Sequence, residues 1–318
     1  MHNDQSKRRN LVRAVVFAYH NVGVRCLKVL LAHGVKIPLI VTHTDNPNEN
    51  IWFDSVAELA ALYDIPVITP DDPNTPEVIA QVQAAQPDFL FSFYYRNMLK
   101  KALLDIPSRG AYNMHGSLLP KYRGRVPVNW AIIKGETETG STLHVMNEKP
   151  DNGALVDQQA VPILPDDTAL DVFAKVTCAA EIALNRCLPG LLAGTAKLTP
   201  QDLSQGGYFG GRCAEDGHID WTQSARDIHN LIRSVAPPFP GAFTAMDGQQ
   251  LKIFRSLVEP DLPGRAARAA FYCENQRCYA VCGDGKVLRI LSFELGGATI
   301  DAAGFALAND GAVMALGN

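Results

Sequence analysis

Residues 13–20 read RAVVFAYH, a short unbroken apolar run that suits a buried strand. The spacing then changes. Val24, Leu27, Leu30 and Leu31 recur at helical intervals over 23–33, and Gly34 ends the run. The exchange repeats along the chain. Residues 36–42 form a second apolar run, and 53–63 place Val56, Leu59, Ala60 and Tyr63 on one helical face. Val67 and Ile68 make a short third strand before a loop of Pro, Asp and Asn at 69–76. Residues 76–85 return to helix and 89–93 to a buried strand. Strands alternating with helices predict a wound, mostly parallel α/β sheet.

The order then shifts. Residues 111–113 read as a strand ending, 128–134 as a helix, and 141–146 and 154–162 as two strands. A short loop joins the last two, so an antiparallel pair on the sheet edge is expected. Residues 166–192 form a long helix whose aspartate-rich start suits the helix dipole. The stretch 196–212 is rich in Gly, Gln and Ser without periodicity and reads as a linker. Beyond it, 224–235 is helical and stops at Pro237, Pro238 and Pro240. Short apolar runs at 242–245, 251–258, 277–281 and 287–295, separated by Gly and Asp turns, predict a small β-barrel. Residues from 301 fit neither a last strand nor a tail well. The pattern divides the chain into a flexible tail (1–12), an N-terminal catalytic domain (13–195), a linker (196–212) and a C-terminal domain (213–318).

Composition narrows the class. The 318 residues are 47% hydrophobic, enough for a real core in one large or two smaller domains. A net charge of −4 gives no basic footprint for non-specific nucleic-acid binding. No apolar run approaches the roughly 18 residues of a membrane span. No secretory apolar stretch follows the polar start. A cytoplasmic enzyme without membrane insertion is the expectation. The seven cysteines are scattered. Cys273, Cys278 and Cys282 lie close but lack the paired gaps of a zinc site, so free thiols and no metal are expected. No Gly-x-Gly-x-x-Gly follows the first strand, which reads His20-Asn21-Val22-Gly23, so a dinucleotide function is disfavoured.

The chemistry concentrates at 113–124, NMHGSLLPKYRG, followed by Asp151 in a Lys-Pro-Asp-Asn-Gly turn. Asn113 and His115 alternate on a strand end and so share a face. Acyl transfer needs a donor for the developing oxyanion, a proton carrier and a group that sets its pKa. The Asn113 amide suits the first role and the His115 imidazole the second. Asp151 suits the third, and its charge is expected to raise the pKa of His115. Taken singly, each residue has an ordinary structural role: a strand cap, a packed ring, a turn. Ser117 lacks the Gly-x-Ser-x-Gly elbow of a serine nucleophile.

These residues carry a resemblance. The run 113–124, with TETGST at 137–142 and Asp-Asn-Gly at 151–153, resembles the folate-dependent formyltransferase family. In the C-terminal part, Ile219-Asp220-Trp221, Ile232-Arg233 and Pro240-Gly241-Ala242 resemble that family's second domain. The resemblance implies a Rossmann-like α/β sheet with a smaller C-terminal OB-like β-barrel. It also implies Asn113, His115 and Asp151 as the catalytic triad, and 10-formyltetrahydrofolate as donor. Within the family, the runs FAYH (17–20), THTDNP (42–47), FSFYYR (91–96) and KYRGR (121–125) resemble the branch acting on UDP-4-amino-4-deoxy-L-arabinose in lipid A modification and polymyxin resistance. That branch implies folate contacts at Asn97, Met98, Leu99 and Arg125, and at Asn147, Glu148, Lys149 and Pro150 leading into Asp151. Asn97 departs from the histidine expected there. The partner implied is a UDP-amino sugar, with no nucleic acid, and homo-oligomerisation is left open. In that branch the formyltransferase is joined to a dinucleotide-dependent decarboxylase, of which this chain carries no counterpart. A methionyl-tRNA formyltransferase is an alternative, as is an enzyme for another nucleotide-linked amino sugar. Residues 46–51 lack the lysines and arginines of the tRNA enzymes' basic insertion. A non-catalytic OB-type nucleic-acid binder is a third reading.

Overall fold

The alternating region folds as its spacing predicts. A computed structural model describes residues 11–47, 49–262, 264 and 269–317. The expected tail at 1–12 lies almost wholly outside the described residues. In chain order come β1 (Arg13–Ala18), α1 (His20–Ala32), β2 (Lys36–Val41), α2 (Val56–Ala61), β3 (Val67–Ile68), α3 (Pro76–Ala84), β4 (Phe89–Phe93), α4 (Lys101–Leu104) and β5 (Ala111–His115). Then follow β6 (Arg123–Gly124), α5 (Pro127–Ile133), β7 (Glu138–Val145), β8 (Leu155–Pro162), α6 (Ala169–Ala193) and β9 (Tyr208–Phe209). Caps mark the starts. The Ser55 hydroxyl accepts from the Glu58 N–H at α2, and Thr75 caps α3 with Pro76 in its first turn.

Two compact units emerge. One holds the chain up to Arg125, Thr139–Val161 and Ala174–Phe209; the other holds Val126–Glu138, Pro162–Phe173 and the chain from Gly210 onward. Each is therefore built from discontinuous segments rather than from one stretch of sequence.

The first unit is organised by a seven-stranded sheet in the order β3-β2-β1-β4-β5-β7-β8. Strands β1 to β5 pair in parallel, and β7 joins β5 antiparallel, with Asn113 opposite His144 and His115 opposite Thr142. Strand β1 lies between β2 and β4, so the winding reverses there. A crevice at the carboxyl ends of such strands is where wound sheets commonly bind ligands. The central strands are covered on both faces: Val15, Val16, Phe17, Leu90 and Phe91 are fully buried. The 25-residue α6 is apolar and long enough by composition to cross a membrane. Its Val172, Val176, Ala180, Ala183, Leu184 and Leu188 recur at helical spacing and are buried, the pattern of a core helix.

The stretch expected as a linker is not loose up to Phe209. Thr199 and Leu155 exchange backbone hydrogen bonds at 2.7 and 2.9 Å, and β9 pairs in parallel with β6. Its polar composition conceals this because the contacts are made by backbone and amide groups rather than by an apolar face.

The second unit contains α7 (Ala225–Ser234), β10 (Ala242–Met246), β11 (Gln249–Glu259), β12 (Ala270–Glu274), β13 (Arg277–Val281), β14 (Val287–Leu295), β15 (Ala298–Ile300), α8 (Ala302–Ala308) and β16 (Val313–Ala315). The sheet runs β10-β11-β14-β13-β12-β16, with β15 paired to β14. It curls until Met246 and Leu316 form an antiparallel bridge between its two ends. Ile219, Trp221, Ile228, Ile232 and Phe293 pack within the curl. The sequence pattern misses β12 and α8. The β12–β13 turn uses Asn275 and Gln276 at φ 51° and 58° rather than a glycine. Helix α8 is capped by Asp301, whose carboxylate accepts from Ala303 and Gly304 N–H. It is held by Phe305, whose ring meets Phe293 at 5.5 Å and Phe271 at 6.2 Å.

Candidate active site

The parallel strand β5 ends in His115, and its alternation puts Asn113 and His115 on one side. The loop that follows turns back on itself. The Ser117 hydroxyl donates to the Lys121 carbonyl at 2.6 Å, and the Thr142 hydroxyl donates to the Ser117 carbonyl at 2.6 Å. Gln158 Nε2 donates to the Leu119 carbonyl at 2.8 Å and to Thr142 Oγ1 at 2.9 Å. This network delivers the Tyr122 carbonyl to His115 Nε2 at 2.8 Å. A carbonyl only accepts, so Nε2 carries a proton. The other ring nitrogen, Nδ1, faces Asp151 Oδ1 at 3.5 Å. Ser117 spends its hydroxyl within the loop.

Asp151 reaches this strand end from the turn after β7. Its backbone has a φ of 56°, in the left-handed region. Its Oδ2 accepts the Gly124 N–H at 2.8 Å, and its Oδ1 lies 3.5 Å from the His144 Nε2 as well as from His115. Burial would push this carboxyl up, but the two imidazoles and the Gly124 N–H outweigh it and bring it down to about 2. Asp151 is thus a carboxylate at neutral pH.

For His115 the balance runs against the sequence expectation. Burial pushes its imidazole below the ordinary histidine value, and neither the Asp151 charge nor the Tyr122 carbonyl offsets that. The ring is 7% exposed, so the cost of charging it dominates. His115 rests neutral, with Nδ1 as the site open to a proton.

His144 is the member that sequence reasoning missed. Its Nδ1–H donates to the Val145 carbonyl at 2.9 Å, and its Nε2 lies 3.2 Å from the Asn113 Nδ2. In the neutral ring with its proton on Nδ1, Nε2 accepts one amide N–H of Asn113, whose second N–H makes no hydrogen bond among the described residues. The period-two alternation of β7 carries His144 and Thr142 on one face, but only the β5–β7 register sets them opposite Asn113 and His115.

The residues expected to contact folate lie on three segments. Asn97 and Met98 are tied to the loop before α3. Asn97 Nδ2 donates to the Asp71 carbonyl at 2.8 Å, and the Met98 carbonyl accepts from Asn74 Nδ2 at 3.0 Å. Met98 is 57% exposed, whereas Leu99 is buried in the core and offers only its backbone. Arg125 is exposed, and its N–H donates to the Phe209 carbonyl at 2.9 Å. Asn147, Glu148 and Lys149 are exposed on the turn into Asp151, with Pro150 half-buried. None of the hydrogen bonds described for these residues reaches the triad.

Three of the quoted runs converge near the carboxyl ends of β1, β2 and β4. His20 stacks on Phe53 at 3.9 Å and His43 on Tyr95 at 4.2 Å. The Arg96 guanidinium sits 4.8 Å over the Tyr19 ring and forms a bidentate pair with Glu49, both bonds 2.9 Å. Among the described residues, no group of His, Cys, Asp and Glu could hold a metal ion.

Comparison with known proteins fits this geometry. Residues 25–188 match the formyl transferase domain and 213–309 the formyl transferase C-terminal domain. Solved structures share the fold. An N-formyltransferase from Helicobacter canadensis, in complex with folinic acid and dTDP-3-aminofucose, is 21% identical with a TM-score of 0.68, over 88% of this chain and 99% of that one. WlaRD, a sugar 3N-formyl transferase solved with dTDP and 5-N-formyl-THF, is 19% identical with a TM-score of 0.69, over 92% and 98%. A sugar N-formyltransferase from Shewanella sp. is 21% identical with a TM-score of 0.61, over 78% and 99%. With more than half of its length matched by the first domain alone, the chain belongs to the formyl transferase family and is a formyltransferase.

Proposed function

We propose that this enzyme N-formylates a nucleotide-linked amino sugar, UDP-4-amino-4-deoxy-L-arabinose in the first instance, with 10-formyltetrahydrofolate as donor. The observation that carries the reading is the Asp151 carboxylate, 3.5 Å from both the His115 and the His144 imidazoles, on the strand end that bears Asn113. The sugar and folate ligands of the similar structures support the substrate class. The runs at 17–20, 42–47, 91–96 and 121–125 favour the arabinose-type sugar. The absence of basic residues at 46–51 disfavours methionyl-tRNA. On this reading the enzyme works in the cytoplasm, in lipid A modification and polymyxin resistance.

The geometry supports the following roles. The free N–H of Asn113 donates to the formyl oxygen as it gains charge. The neutral sugar amine forms its bond to the formyl carbon, and His115 Nδ1 takes the proton the amine releases. Asp151 stabilises the imidazolium so formed. His115 then returns that proton to N10 as the bond from the formyl carbon to N10 breaks. Asn97, Met98, Leu99, Arg125 and 147–150 would hold the folate. The formyl donor supplies only the one-carbon group, and no metal is called for.

The test is a formyl-transfer assay with 10-formyltetrahydrofolate and a panel of UDP- and TDP-amino sugars, with methionyl-tRNA as comparison. Turnover of UDP-4-amino-4-deoxy-L-arabinose above the rest is expected. A better rate with a TDP sugar would move the reading to another amino sugar, and a better rate with methionyl-tRNA would overturn it.

A further inference from the structure

We propose that residues 199–209 are a positioning strap for Asp151, with Gln201 as its principal positioning residue; this rests on the reading of Asp151 given above. The strap grips the carboxylate's surroundings from two sides. On one side, Gln201 Nε2 donates to the Asp151 carbonyl at 2.9 Å and to the Gly153 carbonyl at 2.7 Å. On the other, β9 pairs with β6. The Arg123 N–H donates to the Gly207 carbonyl at 3.0 Å and the Arg125 N–H to the Phe209 carbonyl at 2.9 Å. Between those two bonds stands Gly124, whose own N–H holds Asp151 Oδ2.

Three further observations point the same way. Asp151 sits at φ 56°, in the left-handed region, which aspartate enters more readily than most residues but still at a cost that its surroundings meet. Both partners of the Gln201 amide are carbonyls, so its NH₂ must face them. Its Oε1 is thereby left buried without a hydrogen bond among the described residues, a cost accepted at this position. The approach is also close. A Cβ on Gly206 would lie 1.9 Å from the Pro120 carbonyl oxygen, and one on Gly124 would lie 2.2 Å from the Phe209 carbonyl oxygen. The strap thus ties the Asp151 turn to the loop that offers Tyr122 to His115.

The mechanism is orientation. The carboxylate lies 3.5 Å from His115 Nδ1, so a small relaxation of its turn weakens the support it gives a proton there. Misplacement of about 1 Å can cost about 10²-fold in rate.

The test uses the full-length chain with Gln201→Leu, Gln201→Glu and Asp151→Asn. Gln201→Leu removes both donors. Gln201→Glu keeps the size but sets a carboxylate against two carbonyls. In the formyl-transfer assay, kcat should fall by about 10- to 10²-fold in both Gln201 variants, with KM for the formyl donor largely kept. NMR titration of the His115 ring supplies a readout that needs no substrate. In Gln201→Leu the ring should titrate at lower pH than in the wild type, because the carboxylate that supports its proton has moved. Should Asp151→Asn retain full activity, the active-site reading itself fails. Should Asp151→Asn lose activity while both Gln201 variants keep the wild-type kcat and His115 titration, the strap alone is wrong. If Gln201→Leu does not fold, Gln201→Glu decides. Its kcat, taken relative to the wild type at the same pH, should recover in part on acidification, as its carboxyl gains a proton to donate, and an unchanged ratio would count against the strap.

Discussion

At the residue scale, the site depends on how two imidazoles share one carboxylate. On the proposed mechanism, His115→Ala should abolish formyl transfer, since it removes the ring that carries the proton beside Asp151. Asn113→Ala should cost about 10²–10³ in kcat, the usual value of one oxyanion donor. His144→Ala should cost about 3- to 10-fold, the worth of the one hydrogen bond that steadies the Asn113 amide. Binding of the proposed nucleotide sugar, followed by calorimetry, should survive all three. The pH profile carries a sharper test. On the proposed mechanism neutral His115 is the working form, so kcat/KM should fall on the acid side, on a limb below the ordinary histidine value of about 6.5. Asp151 acts to raise that pKa. Replacing it with Asn should therefore move the limb to still lower pH in whatever activity remains. A limb that stays in place would show that Asp151 does not act through His115.

At the element scale, close backbone packing sets the tolerances. The Asp151 turn leans on β7 at Gly153, where an added Cβ would lie 1.8 Å from the Val145 carbonyl oxygen. Gly153→Ala should destabilise the protein by about 1–3 kcal/mol, the usual cost of overpacking, and should lower activity as well. In the second unit, Phe293 is fully buried on β14 and meets both Phe271 and Phe305. Phe293→Ala should cost about 3–5 kcal/mol. Urea unfolding of each variant checks the sizes. Little change for Phe293→Ala would mean that α8 and the sheet do not share a core.

At the scale of the whole molecule, several histidines are held neutral. Burial pushes His20 down to about 3 and His43 to about 4, and lowers His115 and His229. The sign follows directly. Below about pH 6.5 the unfolded chain binds protons at these positions that the folded chain refuses. The unfolded state is favoured as pH falls, and stability should decline between pH 7 and pH 5. Asp151 acts in a separate window. Its depressed pKa adds stability that is present above the unfolded value of about 3.9 and is lost as pH falls toward about 2. A melting temperature at pH 5 equal to that at pH 7 would contradict the histidine account.

Much of this was legible along the chain. Local spacing fixes period, so the alternation of strand and helix over 13–93 and the two-residue step from Asn113 to His115 could be read without coordinates. Composition sets the class, and the run at 113–124 with Asp151 pointed to the formyl transferases. Three things lay beyond it. The pairing of β5 with β7 set His144 against Asn113, and register between distant strands leaves no local mark. The sign of the His115 shift depended on how far the ring is buried, a property of the packed fold and not of its neighbours in sequence. The segment after Thr199 looked like a polar connection because its contacts run through backbone and amide groups, which bind by position rather than by hydrophobic pattern. Sequence determined which polar groups were available; tertiary structure decided which of them meet around one carboxylate, because burial and long-range register exist only once the chain has folded.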